Sequence, residues 1–333
     1  MKQKGQFLLT LALVLLLKPQ QSHSQPDSLR VAFYNCENYF DSFRDSTIND
    51  ADYTPEGFRR WTYSRFIAKR NALFKVIASM SKPNPPEIIG LCEVENRFVL
   101  NKLCYDTPLS KYEYAVVHQN SNDPRGIDVA LIYQKSRLHL IDYRYFNPQD
   151  RVPKLRTRSI LYARFRWGEF DTLHIFVNHF PSKLGGERSD TNRHIVATYL
   201  KEKLDSILVR DSCASLAIMG DFNDTPHSSA IEMLKSNQIV NLADAPQGNP
   251  KGTIWYDKEW ETIDQILVSQ SLVNGDKPVQ LKGRMKIHTS PFLMDTSDPD
   301  PSNHRPHRTF QAGKYIGGYS DHLPIYITLY KAL

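Results

Sequence analysis

The chain has 333 residues, 41% of them hydrophobic and 23% charged, which excludes a disordered or fibrous polypeptide and allows one large domain or two ordinary ones. The formal net charge is +6. Residues 1–24 hold three lysines and no acid, so the remainder carries 6 − 3 = +3, a mildly basic balance that permits a polyanionic substrate without demanding one.

Lys2 and Lys4 precede an apolar run from Phe7 to Leu17, followed by Ser22-His23-Ser24. A positive start, a short apolar core and small residues at a cleavage site make residues 1–24 a secretory signal peptide, and the run is too short to cross a bilayer comfortably. The pattern predicts an exported protein, periplasmic or extracellular, with its domain over residues 25–333. Four cysteines remain, Cys36, Cys92, Cys104 and Cys213, with no CxxC pair to suggest zinc or redox chemistry. Cys36 and Cys92 fall inside apolar strand-like runs, so buried free thiols are favoured over disulfides.

Short β-branched or aromatic runs then follow one another. Strands are expected at Leu29–Asn35, Glu87–Leu91, Tyr114–His118, Asp128–Tyr133, Ser159–Arg166, Thr172–Asn178, Ser215–Met219, Thr262–Val268 and Leu323–Leu329. Phe66, Leu73, Ile77 and Met80 recur at helical spacing within Thr62–Met80, and Val196, Leu200, Leu204 and Ile207 do so within Arg188–Leu208. Many strands with two helices predict two packed sheets flanked by helices. Residues Gly283 to Gly318 are polar and rich in Pro, His and Arg, and read as an extended surface loop.

Polar residues cluster where apolar strands end. Val31–Tyr34 runs into Asn35, Ile88–Cys92 into Glu93, Ile175–Val177 into Asn178-His179, and Leu216–Gly220 into Asp221-Phe222-Asn223. Thr262-Ile263 precedes Asp264, and Gly318-Tyr319 leads into Ser320-Asp321-His322. Taken singly, each is an ordinary turn or cap. If the ends converge, they build a pocket of oxygen ligands with two imidazoles, which selects Mg2+, Mn2+ or Ca2+ over zinc.

The series Tyr34–Asn38, Gly90–Asn96, Asn178–Ser182, Gly220–Asp224, Thr262–Asp264 and Ser320–Pro324 resembles the endonuclease/exonuclease/phosphatase superfamily, with the motifs in that family's order over about residues 29 to 330. The resemblance implies a four-layer α/β sandwich of two mostly antiparallel sheets flanked by helices, with the site at one edge. It implies Glu93 as principal metal ligand, with Asn35 beside it and Asp321 near the metal. It implies that Asp221 and Asn223 orient the attacking water, that His322 is the general base or proton shuttle, and that Asp264 holds the His322 ring. His179 in Asn178-His179-Phe180-Pro181-Ser182 resembles the deoxyribonuclease I-like branch, as does Arg158, which that branch turns on a substrate phosphate together with Asn178. Strand alternation permits Asp128 to orient His179 and equally permits it to face solvent.

These implications make the chain a Mg2+-dependent phosphoesterase (Mn2+ or Ca2+ serving in its place) acting on phosphodiester bonds as a nuclease. The alternative is a phosphatase or phosphodiesterase on a small-molecule or lipid head-group phosphate. Nucleic acid or another phosphate ester is the expected partner, with no stable protein partner and a monomeric state.

Overall fold

The computed structural model describes residues 28–331 apart from 82, 169–170, 248–249 and 251. The proposed signal segment lies outside the described residues. Strands follow in the order β1 (Ser28–Tyr39), β2 (Ile88–Val94), β3 (Tyr114–His118), β4 (Asp128–Gln134), β5 (His139–Phe146), β6 (Ile160–Trp167), β7 (Asp171–His179), β8 (Ser215–Asp221) and β9 (Ile239–Asn241). After these come β10 (Ile254–Tyr256), β11 (Glu259–Glu261), β12 (Asp264–Ser269) and β13 (Val279–Ile287). The last are β14 (Met294–Asp295), β15 (Arg305–Pro306), β16 (Phe310–Gln311), β17 (Lys314–Tyr315) and β18 (Ile325–Lys331). The longer helices are α1 (Tyr63–Ser79), α2 (Arg97–Tyr105) and α3 (Gly186–Leu208). Among the described residues no helix is long and apolar enough to cross a membrane.

Two six-stranded sheets form, ordered β13-β18-β1-β2-β4-β3 and β5-β6-β7-β8-β12-β9. Within each, only one neighbouring pair is parallel, β1 with β2 and β7 with β8. Both pairs are central, and β2 and β8 in particular read as near-continuous apolar runs because both faces are covered. In β8 the alternation is visible. Ala217 and Met219 join the large core that holds the two sheets together, while Leu216 and Ile218 join the cluster under α3. Helices α1 and α2 pack on the first sheet and α3 on the second, which completes the four-layer sandwich. A Cβ on Gly90 would sit 2.8 Å from the Met219 Cε and 3.1 Å from the Val177 Cγ atoms, so the sheets approach closely there because residue 90 has no side chain.

The helix expected over Thr62–Met80 is α1, with Thr62 outside it as N-cap, its Oγ1 accepting from the Arg65 N–H. Its buried face is Phe66, Lys69, Leu73, Val76 and Ile77, so one lysine lies on the apolar stripe. All nine expected strands are present with ends shifted by a few residues. The four cysteines are free thiols, three of them buried.

The segment expected as one loop from Gly283 is different. Residues up to Ile287 continue β13, an edge strand paired with β18 through a register shift between Lys282 and Lys286. The two hairpins β14–β15 and β16–β17 then occupy part of the remainder. The β13 run VQLKGRMKI alternates weakly because its outer residues face solvent, and Gly283, with φ +76°, marks the irregularity.

Candidate active site

The two parallel pairs bring their C-terminal ends to one edge. Asn35 is level with Cys92 across β1–β2, His179 with Asp221 across β7–β8, and Asp264 with Asp221 across β8–β12. A cavity of about 360 Å³ opens at this edge, walled by residues that include Glu93, Arg158, His179, Asp221, Asn223, Asp321 and His322. The backbone there is unusual. Glu37, Asn38, Glu93 and Asn223 all have φ between 47° and 55°, the left-handed region that costs non-glycine residues energy. Of these, Asn38, Glu93 and Asn223 line the cavity, while Glu37 turns to Arg308 and Thr309 behind it. Gly220 serves the same geometry, since a Cβ there would lie 2.4 Å from the Asn178 carbonyl oxygen.

Asp221 is the centre of the cluster. Its Oδ1 accepts the Asn223 N–H at 2.8 Å and its Oδ2 accepts Asn35 Nδ2 at 3.0 Å. The same Oδ2 lies 3.6 Å from His179 Nε2 and 3.8 Å from His322 Nε2, so two imidazoles flank one carboxylate oxygen. His322 Nδ1 is 2.7 Å from Asp264 Oδ2, a buried pair that assigns the Nδ1 proton and leaves Nε2 facing Asp221. Burial pulls the His322 pKa down, but Asp264, Asp221 and Asp321 outweigh it and hold the group well above an ordinary histidine. His179 goes the other way: burial, with Arg158, Arg125 and His322 nearby, holds it well below. Burial, reinforced by the charges of Asp264 and Glu93 and opposed by His322, raises Asp221. The site therefore offers a proton-bearing imidazole and a neutral one around a single carboxylate, the separation of roles that acid–base chemistry uses.

The other sequence-derived residues are placed as follows. Asn35 is 1% exposed, with Oδ1 accepting the Glu37 N–H at 2.9 Å, so its amide ties the β1 turn to Asp221 and keeps a lone pair on Oδ1. Arg158 lines the cavity, held by Asp123 Oδ2 at 3.0 Å and by the Phe180 carbonyl. Asn223 Nδ2 donates to that same carbonyl at 3.0 Å. Asn178 is fully buried behind the wall, Nδ2 donating to the Met219 carbonyl at 3.3 Å and Oδ1 without a partner among the described residues. Asp128 does not orient His179. It is buried, lies 3.1 Å from His118 Nε2 and accepts the Ser121 N–H, because it shares a face of β4 with Ala130, which lies opposite His118.

Glu93 Oε2 accepts the Asn38 N–H at 2.9 Å, and Arg125 approaches it to 3.9 Å. Asp321 shares the cavity wall and pairs with Arg308 at 2.9 Å. Glu93 and Asp321 both wall the cavity and offer carboxylate oxygens, the ligand type that suits a hard divalent cation. The buried groups Asp221, Asp264 and His322 also bring ligand atoms within 4.8 Å of one another.

Sequence reasoning missed the support beneath Asp321. Glu37 Oε1 accepts from Arg308 Nε at 3.1 Å and Oε2 accepts the Thr309 N–H at 2.6 Å. The fully buried Lys69 lies 3.9 Å from Glu37 and donates to Thr309 Oγ1 at 2.6 Å. A lysine on the apolar stripe of α1 was the signal available, since a buried ammonium requires a partner. Also missed was the hairpin β10–β11, whose Trp255 and Tyr256 wall the cavity.

The placement of His179 gives a direct test. Replacing it with alanine is expected to lower turnover per folded molecule about 10²-fold, the usual cost of a missing proton-transfer group. A lower melting temperature with unchanged turnover would make it a packing residue.

A family model described as "Endonuclease/Exonuclease/phosphatase family" matches residues 30–331. Among solved structures, a family protein from Bacteroides thetaiotaomicron is 19% identical, with a TM-score of 0.57 over 93% of this chain and 97% of that one. A mannosyl-6-phosphatase from the same organism is 18% identical, with a TM-score of 0.58 over 90% and 99%. The human Nocturnin catalytic domain with bound sulfate is 18% identical, with a TM-score of 0.56 over 92% and 96%. At these identities the likeness is one of fold. No curated protein matches the sequence.

Proposed function

This chain belongs to the endonuclease/exonuclease/phosphatase family, whose members are divalent-metal hydrolases of phosphate esters, and from that premise we propose that it is a Mg2+-dependent phosphodiesterase of the deoxyribonuclease I-like branch, acting as a nuclease. One observation carries the reading: Asp221 Oδ2 stands between the Nε2 atoms of two imidazoles whose basicities are pushed apart. Hydrolysis of a diester needs a proton taken from water and a proton given to a poor alkoxide leaving group, so it uses both states.

The residues divide the work. Glu93, with Asn35 and Asp321 beside it, would hold the cation, and the cation supplies charge neutralisation at the phosphate oxygens. Asp221, fixed by Asn35 and Asn223, orients the attacking water. His322 holds or moves a proton at Nε2 while Asp264 fixes its Nδ1. Arg158, immobilised by Asp123, presents a charge to a non-bridging oxygen. His179 stays neutral, with Nε2 3.6 Å from Asp221 Oδ2, and serves the phosphate as a hydrogen-bonding group.

A second reading has its own support. The cations after β13 are largely spent inside the protein, Arg308 on Glu37 and Asp321, and Arg305 within 3.6 Å of Asp295. That leaves less free charge for a duplex backbone and favours a small phosphate ester. One panel separates the two: single-stranded DNA, plasmid, bis-p-nitrophenyl phosphate and p-nitrophenyl phosphate, each with Mg2+ and with EDTA. The diesters should be cleaved with Mg2+ and spared with EDTA. A monoester turned over faster than either DNA or the diester would replace the nuclease with a phosphatase.

A further inference from the structure

The cavity has one wall that the hydrolytic chemistry does not use. The hairpin β10–β11 pairs Ile254 with Glu261, Trp255 with Trp260 and Tyr256 with Glu259. Asp257 and Lys258, at φ 46° and 64°, close it as a tight two-residue turn. Its base is fastened to both proton-handling strands. The Leu323 N–H donates to the Thr253 carbonyl at 2.7 Å, Thr253 Oγ1 accepts the Asp264 N–H at 3.1 Å, and Ile254 bridges to His322. Lys183 ties the far strand down through Glu261 at 2.6 Å.

On this fixed support Trp255 and Tyr256 line the cavity. Trp255 is braced edge-on by Trp260, with ring centroids 5.6 Å apart at 63°. Tyr256 remains 53% exposed. An exposed tyrosine and a half-buried tryptophan on a rigid hairpin, next to groups that handle a phosphate, form a surface for a flat ring attached to that phosphate.

The cavity also continues. Leu184 lines both it and a neighbouring cleft of about 490 Å³. That cleft is lined by Lys154, Arg156 and Arg188 and by no acidic residue. Among the described residues none of these three forms an ion pair, unlike Arg308, Arg158 and Lys183. Three uncommitted cations beyond the reaction centre suit further phosphates of one chain and have no use for a lone sugar phosphate.

We propose that Trp255 and Tyr256 are a stacking platform for an unpaired nucleobase beside the scissile phosphate, and that the Lys154–Arg156–Arg188 cleft takes neighbouring phosphates of the same single strand. This rests on the phosphodiesterase reading above. Duplex DNA keeps its base faces stacked internally, so the platform selects for single-stranded substrate.

The test measures binding in EDTA, where no cleavage occurs, by fluorescence anisotropy of a labelled ten-residue oligothymidylate and of an abasic chain of equal length. The variant Trp255→Leu/Tyr256→Ala should weaken the oligothymidylate about tenfold, the effect of one base left unstacked, and move the abasic chain less than twofold. Tyr256→Ala alone, at an exposed position, should show the same selectivity and guards against a misfolded hairpin. Arg156→Ala/Arg188→Ala should weaken both ligands and flatten the salt dependence by about 0.7 for each phosphate that is no longer neutralised. Equal affinity of the unaltered protein for the two chains, or equal weakening of both in the hairpin variants, overturns the platform. An unchanged salt slope overturns the cleft. Hydrolysis of bis-p-nitrophenyl phosphate by the unaltered protein, scored separately, distinguishes these failures from failure of the phosphodiesterase reading, which absence of Mg2+-dependent hydrolysis would show.

Discussion

Replacing His322 with alanine is expected to reduce kcat by 10²-fold or more, the range for removal of a positioned proton-transfer group. The ring is 6% exposed, its Nδ1 bound to Asp264 at 2.7 Å and its Nε2 3.8 Å from Asp221. Removing it takes away the mobile proton and also strands a buried carboxylate, since Asp264 is 1% exposed and its Oδ1 already lacks a partner among the described residues. Breaking a buried pair in that way costs roughly 3 kcal/mol or more, so His322→Ala should also melt earlier. His322→Asn separates the two effects, because its amide can donate to Asp264 in place of Nδ1 but cannot exchange a proton. Melting should recover while turnover stays low. If the asparagine variant recovers turnover together with stability, His322 is a structural residue and the proton assignment is wrong.

Glu93→Gln should cost about as much by another route. The side chain keeps its shape and an oxygen that can accept the Asn38 N–H, so the fold should hold. The charge removed belongs to the group best placed to hold the cation, beside Arg125, which then stands without its neighbour at 3.9 Å. A Lewis-acid cation contributes several kcal/mol to such a reaction, so turnover at fixed Mg2+ should fall about 10³-fold, with a weaker calorimetric Mg2+ affinity. Near-normal turnover at saturating Mg2+ would remove Glu93 from the cation's immediate ligands. Asp321→Asn makes a useful companion, since Arg308 and Glu37 fix that carboxylate from behind and its effect should be the milder.

The architecture was legible from the sequence wherever burial is two-sided. Strands β2 and β8 are covered on both faces and announce themselves as unbroken apolar runs leading to Glu93 and Asp221, and β7 carries the shorter run Ile175–Val177 before Asn178-His179. Edge elements were not. β5 reads HLIDYRYF, with Ile141 and Tyr143 exposed, so it lacks clean alternation. β10 and β11 have three residues each, too few to show a period. The site followed the same logic. Residues placed directly at strand ends could be named, whereas Lys69 and Glu37 act through partners about 240 to 270 positions away, and no local pattern encodes such a pairing. Asp128 shows the converse error: strand alternation allowed it to reach His179, and the neighbouring strand supplied His118.

The pairing of β1 with β18, from Ser28 opposite Tyr330 to Phe33 opposite Ile325, has a consequence for the protein's synthesis. Asn35 and His322 meet across 287 positions of chain, so a ribosome-bound polypeptide possesses Asn35, Glu93, His179, Asp221 and Asp264 long before it possesses the imidazole that completes them. Domains gain structure as they emerge, from the N-terminal end, yet here β1, flanked by β2 on one side, must wait for β18 to cover its other edge. Until that strand pairs, the first sheet stays open along β1 and the cluster at its edge lacks the His322 imidazole.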